Sequence, residues 1–300
     1  MATMYKKKLV RIVSCFCLLI ISCKKREKEF NSISYYNKVN EIDSIYRIAK
    51  DPELAAKEYK ILFKEYAPKN QEYIKEYETY IQLSEQYNMD FGGKESLYKL
   101  IILISPSGNT YKKYLPLFKK YGIDSTEVKQ KTALYKNSLN HILIDSLTVA
   151  SHRDQEANRQ DIMIMRKNDR KNLNLFLRIF DHYGYPSEQK VGTVGNDGEP
   201  LVIVTILSHL ICLDHKKIYP KLEEYLKKGE IPPRLFALII DKYYLCQKSE
   251  HYYTISSGVS SHGDSLTINR RRKIIGLPSL KHYSKIREDF SNSAQRNMDY

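Results

Sequence analysis

The sequence predicts a mainly α protein: a repeat-like set of helical hairpins in the N-terminal half, then a helical C-terminal domain with a loop-rich or short-hairpin insertion. Three observations lead there. Apolar and aromatic residues recur three and four apart, as in Ala55, Tyr59, Leu62 and Tyr66, the spacing of one helix face. Helix punctuation is explicit: Asp51-Pro52-Glu53 supplies a cap, a first-turn proline and an early acid, while Gly184 and Gly229 stand where helices stop. The most apolar body segment, Leu201 to Leu213, exceeds an ordinary strand and follows Pro200, so it also reads as a buried helix.

Taken in order, the chain opens on residues 1–22. Lys6, Lys7, Lys8 and Arg11 precede the apolar run Ile12 to Ser22, which is shorter than the roughly 20 residues a membrane-spanning helix needs. Basic, then apolar, then small is the order of a secretory signal peptide. The ending Ile20-Ile21-Ser22-Cys23 resembles the lipobox of bacterial lipoproteins. That resemblance implies cleavage after Ser22, a thioether-linked diacylglycerol on Cys23 and acylation of the new amino terminus. Several acyl chains together hold a membrane stably where one does not. The membrane is therefore the expected partner, through lipid on Cys23. By similarity to lipoprotein sorting, Lys24 after the cysteine implies an outer-membrane address with the body facing the periplasm.

Residues 23–34 read as a lipidated, charged tether and 35–140 as the repeat-like region, a candidate surface for a protein partner. After the helix that opens at Pro52 and stops at Ala67-Pro68, Tyr73, Tyr77, Tyr80, Ile81 and Ser84 repeat the helical spacing. Gly92-Gly93, Pro106-Ser107-Gly108 and Gly122 separate further helices. All eight histidines lie from His141 onward, a shift that places a domain boundary within 122–150, with the second domain at 141–290. Within it, helices are expected around Leu139–Leu147, up to Tyr183, over 201–213, over Pro220–Lys228, from Pro233 to about Gln247, and near 280–290. The Gly192, Gly195 and Gly198 spacing is not a dinucleotide fingerprint and reads as turns. Residues 254–268 read as loop or short hairpin, and 291–300 as a frayed tail.

The chain carries 49 basic and 35 acidic side chains, and removing residues 1–22 leaves 45 against 35, a net +10. Such a balance raises nucleic acid as a partner, and export argues against it. Three of five cysteines belong to the signal; Cys212 and Cys246 remain in apolar stretches, where unpaired thiols are the expectation. No Cys/His spacing fits zinc, and His209 and His215, six apart, fall on opposite sides of a helix. Neither a metal nor a cofactor is expected.

Polar residues that interrupt apolar segments are the candidates for chemistry. His209 and Asp241 each sit in a strongly apolar run, where a charged or imidazole group is costly unless partnered. They are expected to satisfy each other, or backbone groups, inside a helical core. Asp154 and Arg159 lie in a charged run that reads as a solvated face. Ser256, Ser257, Ser260 and Ser261 lie near His262, but no nucleophile elbow frames them.

Several motifs then recur in an order that carries a resemblance. They are Asp154-Gln155 with Asn158-Arg159, Gly184-Tyr185-Pro186 followed by Val191-Gly192, and His209 late in an apolar helix. Asp241-Lys242, Tyr253 and Arg272 ahead of Gly276-Leu277 complete the series. Residues 141–283 thereby resemble an uncharacterised domain family of exported bacterial proteins. This chain departs from the family pattern at Ser208, Lys242 and the Tyr253-Thr254-Ile255-Ser256 stretch. The resemblance implies a mainly helical fold and no reaction. Two functional readings follow. The first is a lipid-anchored envelope protein that binds or scaffolds. The alternative is a hydrolase-like envelope enzyme, with His209 as general base or acid, Asp241 orienting it, Arg159 or Arg272 clamping an anion, and Tyr253 and Asp154 at the same site.

Overall fold

In the computed structural model the described residues are 31–70, 73–255 and 264–298, and their regular structure is helical, apart from one isolated β-bridge between Val194 and Pro200. The signal segment, Cys23 and most of the tether lie outside the described residues. The tether is shorter than expected, because α1 (Ser32–Ser44) begins where Asn31 accepts a hydrogen bond from the Ser34 amide. Ser32, Tyr35 and Tyr36 are already buried there, so burial begins inside the stretch expected to be tether. A π-helical turn, Ile45–Ala49, extends α1 to Lys50.

α2 (Pro52–Glu65) starts as its punctuation predicts, with Asp51 accepting from the Leu54 amide. α3 (Glu76–Gln86) packs on α2, and α2 packs on α1. α4 (Gly93–Ile104) follows Gly92, leads into a 3-10 stretch at Ser105–Tyr114, and reaches α5 (Leu115–Lys120) and α6 (Ser125–Asn137).

In the second half, α7 (His141–Gln155) is capped by Asn140, and a 3-10 turn at Ala157–Gln160 leads into α8 (Ile162–Tyr183), which ends at Gly184. A short α9 (Glu188–Val191) and the Gly192–Pro200 turns precede α10 (Ile203–Leu213). α11 spans His215–Lys228, because Asp214 caps the chain earlier than Pro220 would. Pro220 therefore sits inside the helix and costs it one backbone hydrogen bond. α12 (Pro233–Lys248), α13 (Ser265–Ile274) and α14 (Leu280–Met298) complete the order. α14 is helical through most of the tail expected to fray. Around 254–268, the described ends are a core contact at Ile255 and a helix cap at Asp264 rather than strands.

α10 is the centre of the core. Its apolar side chains pack against α12 above all, and against α7, α8 and α11. From Asn31 onward the chain forms one compact unit, and α1 is fastened to the C-terminal helices. Asn40 donates to the Gly276 carbonyl at 2.9 Å, and Asp43 accepts from Arg47 and lies 2.7 Å from His282 Nε2. Gly276 has φ of +82°, and a Cβ there would lie 2.8 Å from the Tyr36 Cβ. Only glycine fits that approach.

Candidate functional site

The six residues singled out in the C-terminal half sort into two separate clusters. The first forms where α7 ends. Asn168 on α8 donates to the Arg153 carbonyl at 3.1 Å and to Glu156 at 2.8 Å, holding the turn that folds Arg159 back over α8. Arg159 Nη2 then lies 2.9 Å from Asp169 Oδ1, 3.3 Å from Asp154 Oδ1 and 2.8 Å from His209 Nδ1. His209 arrives from α10, and its Nδ1 is also 2.8 Å from Asp154 Oδ1. Asp154 is 1% exposed, whereas the His209 side chain is 29% exposed, so the group opens to solvent on the imidazole side.

Proton bookkeeping decides how this cluster works. Arg159 can only donate, and Asp154 as a carboxylate can only accept. If Nδ1 carries a proton it donates to Asp154, while Arg159 divides its two Nη2 hydrogens between Asp169 and Asp154. Nε2 then keeps a lone pair with no protein partner among the described residues, but the Nδ1–H and Arg159 Nη2 are two donors 2.8 Å apart; with the proton on Nε2 instead, Nδ1 accepts from Arg159. Arg159 Nη1 is buried without a hydrogen-bond partner among the described residues in either state. Burial pushes the Asp154 carboxyl up, but the His209 hydrogen bond and the His209 and Arg159 charges hold it below its ordinary value. In the Nδ1-protonated state the imidazole can take a proton at Nε2 and have the resulting charge stabilised by Asp154.

Asp154, Asp169 and His209 each offer an acceptor within 4.8 Å of the others, a set that could hold a cation. The position they share is taken by Arg159 Nη2, so the cation they are arranged around is the chain's own guanidinium. Asp169 was missed at the sequence level. It sits in Lys167-Asn168-Asp169-Arg170, a run that reads as solvated helix face, and only the turn at 156–161 makes it Arg159's partner.

The second cluster is sealed. Asp241, 2% exposed, accepts from the Tyr253 amide at 2.5 Å and the Ile255 amide at 2.8 Å. Arg272, 0% exposed, donates to the Pro278 carbonyl at 2.6 Å and the Tyr253 carbonyl at 2.7 Å, with its guanidinium 4.8 Å from the Tyr283 ring centre. Burial lowers Arg272 to about 10 and raises the Asp241 carboxyl, the latter against its two amide donors. The Tyr253 ring is buried near Phe236 and Tyr252. Of the two arrangements expected for His209 and Asp241, mutual pairing is not formed, whereas Asp241 does take backbone groups, the Tyr253 and Ile255 amides; His209 turns to Asp154. Asp241, Tyr253 and Arg272 fasten the chain after α12 to the turn before α14, and they do not converge on His209.

Elsewhere, a cavity of about 840 Å³ opens between the start of α3, the end of α4 and the C-terminal helices. Among the described residues, five basic and three acidic side chains line it. Lys113 lies 3.3 Å from the buried Glu78, which also accepts from Asn70 and from the Tyr114 hydroxyl. Burial lowers Lys75, opposed by Glu78 and reinforced by neighbouring Lys113, and burial also lowers Lys69. Arg234 stacks 4.1 Å over the Tyr73 ring, and that ring is 4.8 Å from Phe290. No sequence signal marked this cavity, because its wall is drawn from segments some 200 residues apart.

The chain matches no family model, no curated protein and no solved structure. The likeness of 141–283 to an uncharacterised family therefore rests on the motifs alone.

Proposed function

We propose that this chain is a lipid-anchored cell-envelope protein whose helical body binds a small anionic molecule with an apolar portion. The observation that carries the binding reading is the cavity of about 840 Å³, within the size range of ligand sites. Its basic excess suits an anionic group, and Tyr73, Tyr283 and Phe290 offer apolar surface for the rest. Calorimetric titration with short-chain acyl carboxylates and acyl phosphates tests it. Saturable binding, weakened about tenfold or more in Lys75→Ala/Lys113→Ala, is expected; no saturable heat across both series sinks the reading.

The anchor reading is supported by the basic, apolar and small-residue order ahead of Cys23. No described helix is long and apolar enough to cross a membrane. Fatty-acid metabolic labelling should mark the native chain and spare Cys23→Ala, and label retained by the variant removes the lipid claim. An outer-membrane, periplasm-facing address is part of the same proposal, supported by Lys24.

An enzyme reading is favoured by one specific observation, the Asp154–His209 contact that leaves Nε2 without a protein partner among the described residues. Asp154 takes the orienting role that Asp241 was expected to play, with His209 as general base. A screen of nitrophenyl esters and phosphates separates the readings. Turnover abolished by His209→Gln in a folded protein supports the enzyme, and turnover equal in wild type and variant ends it.

A further inference from the structure

The last turns of α10 and α12 bring together the only two cysteines of the described body. Cys212 Sγ lies 2.7 Å from Cys246 Sγ and 3.6 Å from the Lys242 carbonyl, across the most extensive helix–helix contact of the core. Both are free thiols here. A disulfide needs its sulfurs about 2 Å apart and side chains that converge. These already converge, so closing the bond asks for a shift of well under 1 Å at two side chains near helix ends. The expectation of unpaired thiols rested on cysteine being a common core residue. The fold instead places one thiol half-buried and the other exposed, facing each other.

We infer that Cys212 and Cys246 are a disulfide-forming pair, oxidised by a small disulfide or a thiol–disulfide oxidoreductase, and that the bond staples α10 to α12 beside the Asp154–His209 cluster.

The chemistry has a direction set by exposure. Cys246 is the sulfur an oxidant reaches first. Its thiolate attacks the oxidant's disulfide: that S–S bond breaks, a mixed disulfide forms, and one oxidant sulfur leaves as thiolate. Cys212 then loses its proton to solvent and attacks Cys246 Sγ, and the second oxidant sulfur leaves. Two protein thiols are oxidised by two electrons and one oxidant disulfide is reduced to two thiols. Burial, with the hydrogen bond and charge of Cys246, pushes Cys212 up to about 12. The mixed disulfide removes both contributions of Cys246, so the first step makes Cys212 easier to ionise for the second. The order of attack thus follows from the same contact that defines the pair.

The bond would close a loop between residues 34 apart and tie down the helix that carries His209 one turn before Cys212. It depends on neither the cavity ligand nor the lipid anchor, although an envelope location would supply oxidising conditions.

The test uses the full chain incubated with oxidised glutathione, then denatured, alkylated with iodoacetamide and mapped by mass spectrometry without reduction. A peptide joining Cys212 to Cys246 within one monomer is expected. Dithiothreitol should lower Tm by about 5 °C in wild type and leave the Tm of Cys246→Ser unchanged. Alkylation of both cysteines after oxidation overturns the inference, as does a cross-link found only between monomers or to a signal-segment cysteine. Should Cys246→Ser fold poorly, Cys212→Ala serves for the reduction arm, and the peptide map needs no variant.

Discussion

The two polar clusters of the C-terminal half each hold aspartate and arginine, yet they do opposite things. In one, Asp241 and Arg272 direct their hydrogen bonds to backbone amides and carbonyls of loops that would otherwise leave those groups unmet in the core. In the other, Asp154, Arg159, Asp169 and His209 direct their contacts to one another through side chains, and one ring edge is left toward solvent. A carboxylate consumed by backbone donors is committed to structure. One that orients a half-exposed imidazole has its charge available to a reaction or a ligand. The direction of the hydrogen bonds, more than burial, separates scaffold from candidate site.

This contrast can be broken by mutation, starting with the largest effect. Arg272→Met should cost about 3 kcal/mol or more in urea unfolding, because two buried carbonyls lose their donor and the Asp241 carboxylate loses a nearby positive charge. A loss under about 1 kcal/mol would mean that the sealed cluster is not structural. Asp241→Asn should cost about 2 kcal/mol, since an amide cannot accept from both the Tyr253 and Ile255 amides through two oxygens.

A smaller effect, and one that sharpens the contrast, is pH dependence. The Asp154 carboxyl is held below its ordinary value in the fold, so its stabilisation is complete above the ordinary carboxylate range and is lost as pH falls through the folded value. The Asp241 carboxyl is raised, so acidification at that group works in favour of the fold. Stability measured against pH should therefore show a shallower acid-side fall in Asp154→Asn than in wild type, and a steeper one in Asp241→Asn. Equal slopes in all three proteins would remove the electrostatic distinction. The smallest effect belongs to His209→Gln, which should change stability by less than about 1 kcal/mol because the ring is half-exposed. A loss as large as that of Arg272→Met would return His209 to the scaffold.

Much of the helical order was legible because it is written in local chemistry. Asp51, Asn140, Asp161 and Gly184 act at helix ends as their types predict. Two helices defeated that reading for local reasons of another kind. Asp214 caps α11 ahead of Pro220, and Asn31 starts α1 inside the expected tether. The candidate site was half legible. Asp154, Arg159 and His209 each stand out in the sequence, but neither Asp241 nor a backbone group is the partner His209 takes, because apolar surroundings show that a polar group needs a partner and not which one. Asp169 gave no signal, since a charged residue on an amphipathic helix looks the same whether solvent or a guanidinium faces it.

The sequence by itself determined the mainly helical class, several helix ends and the expectation of an exported, lipid-bearing start, since capping, periodicity and signal-like order act within a few neighbouring residues. Only the tertiary structure decided that Asp154 rather than Asp241 holds His209, that Cys212 meets Cys246, and that a cavity opens between the two halves. Each of these joins residues from separate helices, and the side chains that meet across a helix contact depend on how the helices pack, which no local pattern encodes.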